Sequence, residues 1–253
     1  MTPVGTGTAV LSLTPPAGAP AAASGAQILY TVTEPDLYLP NVNIGVNFQA
    51  PLQVRLASRI PAPPTDLTLT IMGDFGISIS NGGTLVSYPN TIQVVIPAGQ
   101  HLSKPFSVQG TALTTATLHV SAPGLTAGYA NVHVLAPTFV FQQASSTQSV
   151  ALTAGGSTNL TILPAVLPLG TPTAPGMAIG GGLAFPVSLG ISVGTPSVVS
   201  APSGVTLHPG DQQATITVHG LAPGSSYVAL TPTSVYGIPN AQSSVNLAVS
   251  AAH

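Results

Sequence analysis

A chain of 253 residues with 44% hydrophobic side chains is long enough to bury one large β core or two ordinary ones without disulfide or metal staples. Only 3% of its residues are charged, against roughly 25% in an average soluble domain, and the formal net charge is -2. The missing Lys and Arg clusters exclude a nucleic-acid binder, the hydrophobic content argues against a disordered Pro/Gly chain, and zero cysteine removes disulfides, thiolate catalysis and Cys-bound metal.

In chain order, Met1 to Gly7 reads as a flexible terminus. Its start lacks the basic residues and apolar stretch of a signal peptide, so either that segment has been cut off or export uses another route. Thr8 to Leu13 is a short β-like run, isolated by a Pro/Ala/Gly/Ser spacer from Thr14 to Gly25. Two readings stand for it: the first strand of its own sandwich, or a strand that adds to the sheet edge of a neighbouring copy, with the spacer giving reach.

Ala26 to Thr33 predicts a strand, and Glu34-Pro35-Asp36 a turn. Val42 to Phe48 and Leu52 to Ala57 follow as strands. After the rigid Ile60 to Pro64 connection, Leu67, Leu69 and Ile71 alternate again, and Ile77 and Ile79 mark a short strand before Asn81-Gly82-Gly83. From Thr91 to Ala136 the plan is strand, turn, strand, loop, hairpin. Ile92, Val94 and Ile96 alternate with polar neighbours, Pro97-Ala98-Gly99-Gln100 breaks the strand, and Phe106 and Val108 lie in the next one. Ala116 to Val120 and Ala130 to Val134 close the unit. No helical period occurs anywhere, and regularly spaced turns between short strands are the mark of a sandwich.

The stretch Val94-Val95-Ile96-Pro97-Ala98-Gly99-Gln100, then Phe106-Ser107-Val108-Gln109-Gly110 and Ala130-Asn131-Val132-His133-Val134, resembles the closing half of bacterial immunoglobulin-like (Big-type) repeats. The resemblance covers about one strand set per domain. It implies tandem sandwich domains of an extracytoplasmic protein, and no activity.

A repeat search adds a second copy. Ile44 to Leu52 lines up with Ile179 to Val187, which puts Leu52, Val54 and Leu56 on Val187, Leu189 and Ile191. Further on, Ile96-Pro97-Ala98-Gly99 matches Leu207-His208-Pro209-Gly210, and Phe106 to Gly110 matches Ile216 to Gly220. On this alignment the second copy lacks part of the Leu67 to Tyr88 region. The expected fold is all-β, two tandem immunoglobulin-like sandwiches, residues 1–136 with an N-terminal extension and residues 137–253.

The second unit begins with Phe139-Val140-Phe141 and continues through Ser149 to Leu152 and Asn159 to Leu163. Between Pro164 and Gly182 lies an uncharged Pro/Gly/Thr segment, suited to packing on another surface, a neighbouring subunit being the expectation. Ser244 to Val249 is a clean final strand.

No convergent chemistry emerges. His119 and His133 sit on consecutive strands as possible cross-strand neighbours, with His101, His208, His219 and His253 scattered elsewhere; a metal site needs three or four convergent ligands, and no carboxylate or cysteine lies near them in sequence. Glu34, Asp36, Asp66 and Asp74 match no calcium loop, five acids offer no evident glycosidase pair, and no G-x-S-x-G elbow occurs. Asn159-Leu160-Thr161 is a sequon of a kind common by chance. No catalytic, cofactor-binding or metal-ligating residue is assigned, and no cofactor is expected. No run approaches the length of a membrane-spanning helix.

The expectation is a non-catalytic subunit of an extracellular or cell-surface filament, sheath or surface layer that associates with itself through uncharged faces, with a possible exchanged terminal strand. The alternative is an adhesin, a carbohydrate-binding module or a spacer, with cell-surface glycan as the possible partner; an enzyme accessory domain is a third reading.

Overall fold

The computed structural model describes residues 7–12, 27–32, 36–144, 149–167, 178–179, 186–231 and 243–252. Among the described residues the first thirteen strands are β1 Gly7–Ser12, β2 Gln27–Val32, β3 Leu37–Tyr38, β4 Val42–Gly45, β5 Phe48–Leu52, β6 Arg55–Leu56, β7 Leu67–Gly73, β8 Ile77–Ser80, β9 Val86–Ser87, β10 Asn90–Ile96, β11 Phe106–Gly110, β12 Thr114–Ser121 and β13 Gly128–Leu135. The strands that follow are β14 Pro137–Phe141, β15 Val150–Thr153, β16 Ser157–Val166, β17 Ala178–Ile179, β18 Val187–Val193, β19 Val199–Ser200, β20 Gly204–Leu207, β21 Ala214–Gly220, β22 Gly224–Thr231 and β23 Ser244–Ser250.

The first sandwich packs the sheet β10-β7-β12-β13-β4 against the sheet β17-β5-β11-β8-β9. Strand alternation supplies its core. Leu69 and Ile71 of β7, Ile92, Val94 and Ile96 of β10, and Leu118 and Val120 of β12 face Phe48, Ala50, Ile79, Phe106 and Val108 of the other sheet, all buried. Each large side chain of this kind contributes roughly 1.5–3 kcal/mol of burial. The second sandwich opposes β14-β16-β21-β19 to β15-β23-β22-β18-β20, with Leu160, Ile162, Ile216 and Val218 against Leu189, Val228, Val245 and Leu247.

The two sandwiches share one topology. In each, the last strand pairs in parallel with an early one, β13 with β4 and β23 with β15. Each also makes the same excursion to the opposite sheet: β7 leads to β8 there and the chain returns at β10, and β18 leads to β19 and returns at β20. The turn after the returning strand is also repeated, with Gly99 and Gly210 both at positive φ, a conformation glycine adopts without steric cost. The bonds Gln100 N–H to Pro97 O and Asp211 N–H to His208 O close it in each copy. The chain is an all-β protein of two immunoglobulin-like sandwiches.

This topology confirms part of the repeat alignment and corrects the rest. Ile96 and Leu207 end equivalent strands, and Phe106 to Gly110 and Ile216 to Gly220 are equivalent. Val187, Leu189 and Ile191, however, belong with Leu67, Leu69 and Ile71, because β18 and β7 hold the same place between their neighbours. The match to Leu52, Val54 and Leu56 failed because every half-buried strand carries the same period-two pattern, which fixes a face and not a position in the sheet. The second copy therefore keeps a counterpart of Leu67–Gly73.

Two single strands of the sequence reading are each divided. Asn47, with φ of 66°, turns the chain between β4 and β5, which lie in opposite sheets. Leu52 to Ala57 divides into the end of β5 and the short β6, which pairs with β3. The N-terminal run is not the first strand of a sandwich sheet: β1 pairs with β2 in an antiparallel sheet of their own, Gly7 opposite Val32 through Ser12 opposite Gln27.

The Pro/Gly segment after Pro164 falls mostly outside the described residues. Its first part belongs to β16, where Pro164 lies beyond the stretch bonded to β21, so its missing N–H breaks no ladder on that side. Its described remainder, β17, joins the edge of the first sandwich, with Ile179 opposite Phe48 and Ala178 opposite Gln49. Ile179 also donates its N–H to Asp211 O and accepts from Gly210 N–H, so one buried residue bonds both sandwiches of the same chain.

Candidate functional site

The strands organise broad outward sheet faces, and alternation decides what they display. On the sheet β10-β7-β12-β13-β4, register sets Thr91, Met72, His119 and Tyr129 in one row across four strands. Met72 is 46% exposed and Tyr129 63% exposed. The His119 and Tyr129 rings meet edge to face with centroids 5.1 Å apart. His119 Nε2 lies 3.5 Å from Asp74 Oδ1, both side chains partly open to water, which ties the row to the β7–β8 loop.

That loop carries a second ring pair. Phe75 and Tyr88, 70% and 58% exposed, stand nearly perpendicular with centroids 6.5 Å apart. Buried Asn90 holds the loop's two ends together: its Oδ1 accepts from Gly73 N–H at 2.6 Å and its Nδ2 donates to Ile77 O at 3.0 Å. Gly76 turns the loop at a φ of 96°, where an added Cβ would meet the Thr114 side chain. The result is an aromatic and polar patch of Met72, Asp74, Phe75, Tyr88, His119 and Tyr129 at one end of the first sandwich.

The equivalent face of the second sandwich, on β15-β23-β22-β18-β20, displays Thr206 and Ser188, whose hydroxyls lie 3.2 Å apart, with Tyr227 opposite Asn246 and Ala151 beside Ala248 and Ser225. None of these residues is charged. Beyond Lys104 the sequence holds one formal charge, Asp211.

The residues weighed for chemistry are dispersed. His119 and His133 lie on one face of β12 and β13 but are not opposite each other, since His119 pairs with Tyr129 and His133 with Thr115, whose Oγ1 is 3.0 Å from His133 Nδ1. The carboxylates serve local structure. Asp36 accepts from Thr126 N–H at 2.6 Å and pairs with Arg59, contacts that hold its carboxyl below the usual aspartate value, the Thr126 N–H being the largest cause. Asp66 accepts from Ala98 N–H, and Asp211 from His208 N–H. Glu34 and His253 lie outside the described residues. Among the described residues no three His, Asp or Glu side chains gather as metal ligands, and no helix is long and apolar enough to cross a membrane. Asn159 is exposed on β16, and its Oδ1 accepts from Thr217 Oγ1.

Sequence reasoning missed the aromatic patch. Phe75 and Tyr88 lie in loops and Tyr129 on β13, so only the tertiary fold unites them; the usable signal was that three aromatic residues fell on polar-side or turn positions.

No protein-family model matches the chain, and no curated protein matches it. Among solved structures it is similar to the Yersinia pseudotuberculosis adhesin InvE, at 16% identity and a TM-score of 0.29, over 85% of this chain and 58% of that one. It is similar to invasin, a bacterial integrin-binding protein, at 11% identity and a TM-score of 0.30, over 85% of this chain and 39% of that one. The titin Ig tandem A164-A165 matches at 9% identity and a TM-score of 0.26, over 85% of this chain and 93% of that one.

Proposed function

We propose that the chain is a non-catalytic structural subunit of an extracellular or cell-surface assembly, built of two modules divided at residues 136 and 137, that associates with copies of itself through its uncharged sandwich faces. The observation that carries this reading is the charge-free outward face of β15-β23-β22-β18-β20 in a chain with eight charged residues in all. Soluble monomers rely on interspersed charges to keep copies apart, and this surface has no such repulsion. Negative-stain electron microscopy of the purified chain, beside light scattering over a dilution series, tests it. Ordered filaments or sheets are expected; particles of single-chain size at every concentration would refute it.

A second reading, an adhesin or glycan-binding module, is favoured by one feature: the exposed rings of Phe75, Tyr88 and Tyr129 beside Asp74 and His119. Binding to an immobilised glycan panel that falls when Phe75 and Tyr129 are both replaced by Ala would support it over self-association.

A further inference from the structure

We propose that the N-terminal hairpin β1–β2 is the element through which copies join, by edge-to-edge pairing of β2 with β2 of a second copy; this rests on the self-association reading above. The hairpin is a two-stranded sheet of its own, and among the described residues no sandwich strand pairs with either of its strands. A lone two-stranded hairpin is marginal in water, whereas three or more strands are needed for independent stability. Its persistence beside two complete sandwiches calls for a further strand.

Its edges are also unguarded. Natural edges are blunted by Lys, Pro, bulges or a covering segment. Neither GTAVLS nor QILYTV contains a charged residue or a proline, and β1 and β2 pair residue for residue over all six positions without a bulge. Uncharged, Pro-free segments of this length and β-propensity are the ones that pair with copies of themselves.

The occupant follows from stoichiometry and sequence. A second copy carries the same edge in equal number, and antiparallel pairing about a two-fold axis lets one edge satisfy both chains. Of the two edges, β2 is the stronger pairing strand, with Ile28, Tyr30, Thr31 and Val32 of high strand preference, while β1 holds Gly7, Ala9 and Ser12. Pairing through β2 gives a four-stranded sheet of order β1-β2-β2-β1 and leaves a β1 edge at each side. An assembly that uses one edge closes as a dimer; use of both edges extends it into a filament.

The absence of cysteine makes the test direct. Six full-length variants, each with one cysteine introduced at a position from Gln27 to Val32 (for example Leu29→Cys and Tyr30→Cys), are oxidised mildly and run on non-reducing gels, with Thr215→Cys on exposed β21 as the control. About a two-fold axis a strand meets itself at one point only. Disulfide-linked dimer should therefore peak at one position, or at two neighbours, and fall off on both sides, with the control several-fold lower. Uniform cross-linking that includes the control, or no cross-linking by a chain that still associates in light scattering, would overturn the hairpin assignment while leaving association through the faces standing. A chain that is monomeric throughout would overturn both.

Discussion

Phe139 stands edge-on to Phe48, with ring centroids 5.6 Å apart and an interplanar angle of 70°. The first strand of the second sandwich thus packs on the strand of the first sandwich whose backbone edge also receives Ile179. The two halves meet through a shared ring contact and a shared strand edge, and the buried side chains run on between them as one cluster. Phe139→Ala removes a ring that is 4% exposed and leaves a cavity against Phe48. The expected loss is about 3–5 kcal/mol, read as a lowered urea midpoint in equilibrium unfolding.

Asn90 is the second position where one side chain carries much structure. It is 1% exposed and satisfies Gly73 N–H and Ile77 O at once. Asn90→Leu preserves volume but strands both buried backbone groups, each costing about 1–3 kcal/mol. Unfolding should show that loss, and hydrogen exchange of the Gly73 amide should accelerate while the Leu160 amide on β16 stays protected.

Acid sensitivity should trace in part to Asp36. Its carboxyl titrates below its unfolded value because the charged form accepts from Thr126 N–H and pairs with Arg59. A group depressed in the folded state contributes stability above its unfolded value and loses it as pH falls through the folded one. Asp36→Asn should therefore be less stable than the parent near neutral pH, and the difference should shrink as the pH is lowered from about 6 to about 2. A difference constant across that range would contradict the assignment.

Association through apolar and hydroxyl-bearing faces should be indifferent to screening. Raising salt from about 0.05 to about 0.5 M shortens the range of charge interactions and should leave the scattering intensity of the assembly unchanged or raised. Dissociation by salt would point to the eight charged residues, seven of which lie at or before Lys104.

Much of this fold was legible in sequence because half-buried strands announce themselves by alternation. Ile92, Val94 and Ile96 are buried as their spacing predicts, as are Phe106 and Val108, and the repeated turn at Gly99 and Gly210 identified equivalent strands. What alternation cannot convey is which strand neighbours which. Spacing alone aligns Val187 with Leu52, where topology aligns it with Leu67, and it leaves His119 and His133 as possible cross-strand neighbours, where register places Tyr129 opposite His119. The clasp at Ile179 was hidden for a different reason: two residues within a Pro/Gly run carry no period, and their pairing with Phe48 is decided by tertiary contact. The turn at Asn47 is hidden because a single Asn between Val46 and Phe48, with no Gly or Pro beside it, interrupts an otherwise apolar strand pattern, although Asn is a residue type enriched at positive φ.

Sedimentation velocity of the full chain over a hundredfold concentration range, at near-physiological salt, addresses the central claim most directly. Self-association predicts a sedimentation coefficient that rises with concentration into species well above one chain. A single species of 25.0 kDa at every concentration would contradict it.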